Sequence, residues 1–424
     1  MSISSRLKLD KRTWNSCKYE INIDLAFSDG TVRKLESAQI IGVFMEKNFD
    51  RDHLPILMVD LALSKLDENK IGDDTLFHIR MDQHYLENND DSREKRSKRI
   101  YINDTFVRLD PESTVDTSEK LEKLSRKADK VSEDKLSIND LSSKTTFVLV
   151  KKSDLELTKK MINAVLSGVN QETIVKYILV KGRCPNKVLM SNFTNKATHN
   201  EIVLLPKPLL QQLLYLENEY GWHQEGTCIF IDYDTFYIVR MNGKASVWRK
   251  NEVTSVCFCI SEVTSEDTIA SGVILQNNIL YVNIGTDQFR LADVNEIEDQ
   301  TSGANVLLFN TTTGSSENVN SGTKGLDGTG AYSTKMYHGH NPYTKNQFVI
   351  RKKENSHAWE ITCTNGDISF FTPNKQFSFL SDVTSIDRDL RGIYRISSIK
   401  VNFIKSGDYF DTTSSILVKR TEEK

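Results

Sequence analysis

Residues 200–240 have the sequence NEIVLLPKPLLQQLLYLENEYGWHQEGTCIFIDYDTFYIVR, and this stretch decides the fold of the chain. A short apolar strand ends at a Pro-Lys-Pro sequence, an amphipathic helix follows, and two aromatic-rich strands turn around residues 232–234. Helical periodicity predicts one apolar face with four members and two flanking leucines. The face consists of Leu209, Leu213, Leu216 and Tyr220, flanked by Leu210 and Leu214. Gln211, Gln212 and Asn218 are predicted to point away, so the helix is expected to dock on a sheet through its leucines.

The order of these elements resembles the middle of the baseplate hub proteins of contractile-tailed bacteriophages. The shared pattern is an extended segment, a Leu-rich helix that ends in a Tyr-Gly pair, and an apolar-Asp-Tyr-Asp hairpin with a following Tyr. The matching residues are Tyr215, Leu216, Tyr220, Gly221, Phe230, Asp232 and Tyr237. The resemblance extends in pattern and order over about two thirds of the chain and includes no catalytic signature.

The resemblance implies a structural virion protein of the tail baseplate, assembled in the host cytoplasm and without enzymatic activity. In that family each chain has two similar barrel domains, so that three chains form a ring of approximate sixfold symmetry. The ring joins a hexameric tail tube to a threefold central spike. The implied partners are therefore further copies of the chain in a homotrimer, the tail tube protein, the central spike protein and other baseplate proteins.

The implied fold class is α+β and predominantly β, with two antiparallel β-barrel-like tube domains and a small α+β insert. The composition agrees, because 424 residues exceed what one core usually serves and favour two to four domains. The chain is 27% charged and 38% apolar, and its net charge of −3 is too small to indicate a nucleic-acid or membrane partner. The first twenty residues lack the apolar core of a signal peptide, and Asp60 interrupts the longest apolar run, so we expect a cytosolic protein without stable membrane insertion.

Residues 1–111 are predicted to form the first β-barrel-like domain. Tyr19, Ile21, Ile23, Leu25 and Phe27 alternate with mostly polar residues, which is typical of a strand with one buried face. A Ser-Asp-Gly turn at residues 28–30 follows that strand. Further strands are predicted in four ranges, namely residues 38–45, 56–63, 77–81 and 100–109.

Residues 112–145 contain no aromatic residue and are rich in Glu, Lys, Asp and Ser. They are predicted to form a charged connector, mobile or helical, rather than a binding tail. Residues 146–247 are predicted to form the α+β insert. Ser153 and Glu156 have the spacing of a capping box for a first helix that extends to Gly168. Its apolar side would consist of Leu157, Met161 and Val165. A second helix over residues 171–180 is capped by Asn170 and turns Ile174 and Ile178 inward.

Residues 248–424 are predicted to form the second β-rich domain. Hairpins are expected around residues 276–278 and around Asn365-Gly366, where strands 359–362 and 368–371 would pair. Residues 393–404 and 416–419 supply further strands. Residues 310–331 are rich in Gly, Ser, Asn and Thr and are predicted to be a flexible loop.

Two groups of residues suggest a bound ligand but lack the full pattern. A glycine-rich group is not followed by Gly-Lys-Ser/Thr, so a surface loop is favoured over a nucleotide site. A histidine group has no fixed carboxylate or cysteine beside it, which favours a surface turn over a metal site. The first group is Gly322, Lys324, Gly325, Gly328 and Gly330, and the second is His338, His340 and His357.

Four further features have a simpler structural interpretation. Asp232 and Asp234 are interpreted as turn residues rather than a carboxylate pair. His84 and Glu87 lack the second histidine of a zinc-protease helix, and the basic run at residues 92–99 follows acidic residues that neutralise it. Six cysteines are scattered without metal-ligand spacing and are predicted to be free and mostly buried. We therefore predict no catalytic, cofactor-binding or metal-binding residues and no cofactor.

Two alternative functions remain open. A receptor-binding or carbohydrate-binding tail module would use the aromatic strands and the glycine-rich loop as a surface site. A cell-wall hydrolase fused to a hub would require a catalytic acid pair or a metal triad, and the sequence shows neither.

Overall fold

The computed structural model describes seventeen stretches of the chain. They are residues 13–50, 54–87, 96–109, 142–184, 186–232, 234–241, 254–261, 273–276, 279–292, 305–310, 316–319, 332–337, 341–343, 347, 358–373, 375–381 and 390–422. One large sheet of fifteen strands contains most of the strands described. This predominance of β-structure, with few helices, confirms the predicted fold class.

The first part of the chain supplies seven strands and a short helix. They are β1 (Thr13–Ala26), β2 (Val32–Lys34), β3 (Ile40–Asn48), β4 (Ile56–Ser64), α1 (Lys65–Lys70), β5 (Leu76–Glu87), β6 (Arg96–Arg108) and β7 (Ser142–Lys151). A middle part follows with three helices and five strands. They are α2 (Lys152–Lys159), β8 (Met161–Asn170), α3 (Gln171–Lys181), β9 (Lys187–Met190), β10 (Thr198–Pro208), α4 (Leu209–Tyr220), β11 (Thr227–Asp232) and β12 (Thr235–Arg240).

The last part supplies eleven strands. They are β13 (Ser255–Ser261), β14 (Val273–Gln276), β15 (Ile279–Gly285), β16 (Phe289–Leu291), β17 (Asn305–Asn310), β18 (Ser316–Val319), β19 (Tyr332–Tyr337), β20 (Ala358–Thr364), β21 (Gln376–Ser381), β22 (Ile393–Ser406) and β23 (Tyr409–Glu422). Strands β17, β18 and β19 form a small separate sheet. Residues 316–319 are therefore a strand inside the segment predicted to be a flexible loop, and most of that segment lies outside the described residues.

Eight strands close into an antiparallel barrel, which we call the barrel. Its order is β22, β3, β4, β7, β6, β5, β1 and β23, and β23 pairs again with β22. The alternation predicted for β1 is confirmed, since Tyr19, Ile21, Ile23 and Leu25 are all buried. The barrel combines strands from both ends of the chain, and the division of the sequence into four segments stays a prediction.

A second group of eight strands, which we call the second β-unit, shares the long β22–β23 hairpin with the barrel. Its order is β14, β15, β13, β21, β22, β23, β20 and β16. The first residues of β22 pair with β21, whereas residues 398–404 pair with β3 of the barrel. Two continuous strands of fourteen residues therefore connect the two units. The predicted hairpin of β14 and β15 is confirmed, and β13 runs parallel to both of its neighbours.

The elements from α2 to β12 form an α+β block, which we call the insert. Helix α3 confirms its prediction in detail, because the Asn170 side chain accepts a hydrogen bond from the Thr173 amide at 2.9 Å and caps the helix. Helix α4 has the predicted bounds, and Leu209, Leu213 and Leu216 are buried. The two-stranded sheet of β8 and β10 covers these helices on one side.

The prediction of a helix from Ser153 to Gly168 is wrong beyond residue 159. Residues 161–170 form β8, which pairs antiparallel with β10, and both Met161 and Val165 are exposed. The capping box does not form, because the N-cap is Lys151 and contributes no side-chain hydrogen bond. Pairing with a strand some forty residues away decides this segment, because tertiary contacts outweigh local helix signals.

The prediction of a hairpin at Asn365-Gly366 is also wrong. Residues 368–370 form a turn of 3-10 helix, capped by the Asp367 side chain, and β20 pairs with β16 and β23 instead. Backbone hydrogen bonds hold Asn365 between two strands, since its amide donates to Thr412 and its carbonyl accepts from Cys17. The chain leaves β20 at this point, and the Asp367 carboxylate accepts a hydrogen bond from Gln83 of β5 at 2.9 Å.

Two smaller predictions concern single side chains. Gln212 was expected to point away from the core but is fully buried, because α2 and α3 both pack against α4 and enlarge its covered face. All six cysteines are free, and five of them are buried, as predicted.

Candidate functional site: the junction between barrel and insert

The hairpin of β11 and β12 is buried on both faces and joins the insert to the barrel. Alternate residues of β11 face different cores, because Phe230 packs with the barrel and Ile231 packs with the insert helices. Phe230 makes an edge-to-face contact with Phe49 at 4.9 Å between ring centroids and stacks on Tyr237 at 4.6 Å. A strand buried on both faces needs apolar residues throughout, which explains why the pattern of this hairpin is almost continuous.

A buried ion pair fixes the tip of this hairpin to the barrel. Lys47 is the last inward-facing residue of β3, and its Nζ pairs with the Asp232 carboxylate. The same Nζ donates to the Tyr101 hydroxyl at 3.2 Å. Separating the two partners would leave each charge buried without a counterion, which strongly destabilises the folded protein. The contact therefore favours the orientation of the hairpin in which Lys47 and Asp232 meet.

A second ionic cluster lies where β3 ends beside the shared hairpin. The Asp50 carboxylate accepts from Arg395 Nη1 at 2.7 Å and from Lys419 Nζ at 3.0 Å, and it also accepts from the Ser397 hydroxyl. Arg395 and Lys419 are 1% and 3% exposed. Burial alone would raise the pKa of Asp50, but the two cations and these hydrogen bonds hold it well below its ordinary value. The cluster connects both long strands of the β22–β23 hairpin to the segment that follows β3.

Side chains from a distant part of the sequence hold the end of helix α4. Asn341 Nδ2 donates to the Asn218 carbonyl at 3.0 Å, and Gln347 Nε2 donates to the His223 carbonyl at 2.8 Å. Gly221 ends the helix with a φ of 63°, and a Cβ there would lie 2.2 Å from Asn341 Oδ1. Glycine is required at this position for its conformation and for the approach of Asn341.

Asp154 lies in the first turn of α2, where the chain passes from the barrel into the insert. Its carboxylate is buried and accepts from Asn186 Nδ2 at 3.4 Å and from the Ser153 hydroxyl at 3.2 Å, both through Oδ1. Within the described residues Oδ2 has no hydrogen-bond partner. Burial raises the pKa of Asp154 to about 6, although the charge of Lys151 opposes this shift.

The Asp154→Asn variant is expected to be more stable than the wild type at pH 7. The folded protein holds the Asp154 proton more tightly than the unfolded chain, so the free energy of unfolding falls as the pH rises from about 4 to about 6. A shift of roughly two pKa units corresponds to a penalty on the order of 2–3 kcal/mol at pH 7. Thermal unfolding followed by circular dichroism should give the variant the higher Tm at pH 7 and equal values at pH 3.5.

The matched control for this variant is Asp73→Asn, which changes a carboxylate that is 91% exposed. That variant should match the wild type at both pH values. A lower Tm for Asp154→Asn than for the wild type at pH 7 would show that the ionised carboxylate stabilises the insert.

The structure brings three of the seven residues matched to the hub family into the junction. Phe230, Asp232 and Tyr237 lie there, whereas the other four lie within the insert. Leu216 is part of the insert core, Tyr215 lies under Lys207, Tyr220 contacts His199, and Gly221 ends α4. The interpretation of Asp232 and Asp234 as turn residues is confirmed by the register of β11 and β12, in which Asp232 is opposite Thr235.

The other candidate residues do not form a chemical site in the part of the chain that is described. His84 Nε2 lies 3.1 Å from Glu20 Oε2 on the barrel wall. No group of three or more possible metal-ligating side chains occurs among the described residues. The glycine-rich group, the histidine group and residues 92–95 of the basic run lie outside the described residues, and their interpretation stays a prediction.

Sequence reasoning did not identify Lys47, Asp50, Arg395 and Lys419 as junction residues. One local signal existed, because Lys47 continues the inward-facing series of Val43 and Met45 in β3. A charged residue at an inward-facing strand position indicates a buried partner. The partners themselves were not predictable from neighbouring residues, since Asp232 is 185 positions away from Lys47 and Arg395 is 345 positions away from Asp50.

A fold in which two β-units and an insert are joined by a buried junction is found in phage tail proteins. The tail protein from Neisseria meningitidis MC58 superposes with a TM-score of 0.52 at 9% sequence identity, covering 95% of this chain and 97% of that one. The 43 kDa tail protein of prophage MuSo2 from Shewanella oneidensis superposes with a TM-score of 0.50 at 10% identity, with the same coverage.

The chain belongs to the family described as Bacteriophage PBS1 gene 109 protein, whose model matches residues 9–421. No curated protein matches the sequence. The resemblance to phage baseplate proteins predicted from the sequence is thereby confirmed in family and fold. In the described residues, no helix is both long enough and apolar enough to cross a membrane.

Proposed function

We propose that this chain is a hub subunit of a phage tail baseplate. Three copies form a ring of approximate sixfold symmetry that connects the tail tube on one side to the central spike on the other. The protein acts there as a structural component without enzymatic activity, in contact with further baseplate proteins. It joins the virion after assembly in the host cytoplasm.

The observation that supports this proposal is the shared β22–β23 hairpin. Each strand continues from the barrel into the second β-unit without a break, so the two units cannot move independently. Two eight-stranded units per chain give six units in three copies, which is what a ring between sixfold and threefold neighbours requires. The Asp50 cluster stabilises this hairpin at the point where the units meet.

The mass and shape of the purified full-length protein test the proposal. Light scattering should give about three times the chain mass of 48.4 kDa, and electron microscopy of the same fraction should show rings with a central opening. A monomer at every accessible concentration, with no rings, would contradict the proposal.

The glycine-rich segment provides the test against a receptor-binding module. Residues 320–331 can be replaced by a Gly-Ser sequence of equal length, which leaves β18 and β19 intact. A hub subunit should still form its ring after this replacement. If the chain is instead a receptor-binding module centred on that segment, the mass of the protein should not change, but the assembled phage should no longer adsorb to host cells.

A further inference from the structure

A fully buried histidine, His223, lies in the loop between α4 and β11. Ser191 Oγ is 3.0 Å from its Nε2 and Thr194 Oγ1 is 3.3 Å from its Nδ1, so each ring nitrogen has a hydroxyl partner. The Phe193 ring makes an edge-to-face contact with the imidazole at 5.3 Å between centroids. All three of these side chains belong to the linker between β9 and β10, residues 191–197, which therefore covers the histidine.

Backbone hydrogen bonds hold the linker and a third segment against the same loop. The Thr194 and Asn195 amides donate to the Trp222 carbonyl at 2.9 and 3.1 Å. The His223 carbonyl accepts from Gln347 Nε2 at 2.8 Å, which attaches a segment from the last third of the chain. We call this arrangement of linker, loop and attached segment the His223 joint. Because the linker covers the imidazole, separation of the linker from the loop exposes the ring to water.

The surroundings of His223 are unfavourable for a positive charge. The two charged side chains whose fields act on the ring, Arg240 of β12 and Lys196 of the linker, are both positive. Among the described carboxylates, Glu217 at the end of α4 and Glu225 in the loop make neither a hydrogen bond nor an ion pair with the ring. The attached segment contacts the joint through neutral amides. Burial, with a smaller effect of the two cations, lowers the pKa of His223 from 6.5 to about 3.

We propose that the His223 joint is an acid-sensitive contact, in which the linker separates from the loop when the histidine takes up a proton. A neutral imidazole is satisfied by its two hydroxyl partners, whereas an imidazolium in the closed joint is a buried charge without a counterion. Water reaches the ring once the linker has moved, so proton uptake and opening are coupled. The titrating group lies in the insert, and the opening is therefore local and leaves the barrel folded. This inference does not depend on the proposed function.

The direction and size of the pH effect follow from the two protonation equilibria. The open joint binds a proton below the ordinary pKa of 6.5, and the closed joint binds it only near the lowered pKa of about 3. Between these values the open form holds more protons, so the closed joint becomes less stable as the pH falls. The equilibrium constant for opening should rise roughly a hundredfold between pH 7 and pH 4.5. The raised pKa of Asp154 has the opposite effect on the insert over an overlapping range, so variants need to be compared.

Amide hydrogen exchange of the full-length protein at pH 7 and pH 4.5 tests the inference, with each rate corrected for the intrinsic effect of pH. The Thr194 and Asn195 amides report the opening directly, because both are bonded to the Trp222 carbonyl in the closed joint. Their protection in the wild type should fall by up to roughly a hundredfold at the lower pH. Amides of β5 in the barrel should keep their protection.

The His223→Asn variant removes the titrating group and keeps a side chain that can form hydrogen bonds. Protection of residues 191–197 in this variant should change by less than about threefold between the two pH values. His78→Asn is the matched control, since His78 is exposed on β5, where its Nδ1 lies 2.8 Å from Thr105 Oγ1. That variant should lose protection in the linker as the wild type does.

Two results would overturn the inference. Equal protection of the wild-type linker at both pH values would show that the joint does not open in acid. An equal loss of protection in wild type and His223→Asn would show that another group controls the opening. If His223→Asn does not fold, a pH series on the Asp154→Asn protein decides, because the opposing titration is absent there. The logarithm of linker protection should then fall with a slope approaching one per pH unit between pH 6 and pH 4, and a flat line contradicts the inference.

Discussion

The Asp50→Ala variant is expected to lose about 3–5 kcal/mol of the free energy of unfolding, which is a large part of the stability of an ordinary domain. The substitution removes the carboxylate between Arg395 and Lys419, which are both almost fully buried. Two cations then remain close together in a region that water reaches poorly. Urea unfolding followed by far-UV circular dichroism should show a lower midpoint, and the wild-type curve measured under the same conditions gives the difference.

The pH dependence distinguishes a charge effect from a packing effect. The pKa of Asp50 in the folded protein lies below its ordinary value of 3.8, so its stabilising contribution is complete above that value and is lost as the pH falls below it. The stability difference between wild type and Asp50→Ala should therefore shrink below about pH 4. Asp73→Ala removes an exposed carboxylate and should change stability by less than about 0.5 kcal/mol. A difference that stays constant down to pH 2 would mean that packing around Asp50, not its charge, stabilises the hairpin.

Local patterns predicted the elements whose stability is decided locally. The alternation in β1 and the Asn170 cap of α3 are examples, because strand periodicity and capping depend on residues within a few positions of each other. The helix predicted from Ser153 is wrong because local spacing does not record pairing with a distant strand. Leu157, Met161 and Val165 have helical spacing, but pairing of residues 161–170 with β10 buries Ile162 instead and exposes the other two.

The candidate site was predictable only in part. Phe230, Asp232 and Tyr237 lie in the stretch that carries the family pattern, and all three belong to the junction. The cations that complete the junction come from β3, β22 and β23, far away in sequence. A local sequence pattern indicates which residues are buried. It does not indicate which buried charges pair, because that depends on a topology in which strands from distant parts of the chain share one barrel.

The Leu213→Asp variant is expected to produce insoluble subunit. Leu213 is fully buried in the insert core, where α4 packs against the neighbouring helices and β10. Truncation of a buried leucine alone costs about 2–5 kcal/mol, and an ionised carboxylate without a partner adds several more. The sum is comparable to the whole stability of a domain, so the insert should not fold and its exposed strands should aggregate. The soluble fraction after expression, measured against wild type, gives the result.

Two further variants make this prediction specific to the position of Leu213. Asn218→Asp introduces the same charge on the exposed side of the same helix and should remain soluble and form the wild-type assembly. Leu213→Ala should remain foldable, with the free energy of unfolding lowered by about 2–5 kcal/mol. If Leu213→Asp is soluble and still assembles, α4 does not dock through this face. If Leu213→Asp and Asn218→Asp are both insoluble, the added charge acts on the helix as a whole rather than through burial at Leu213.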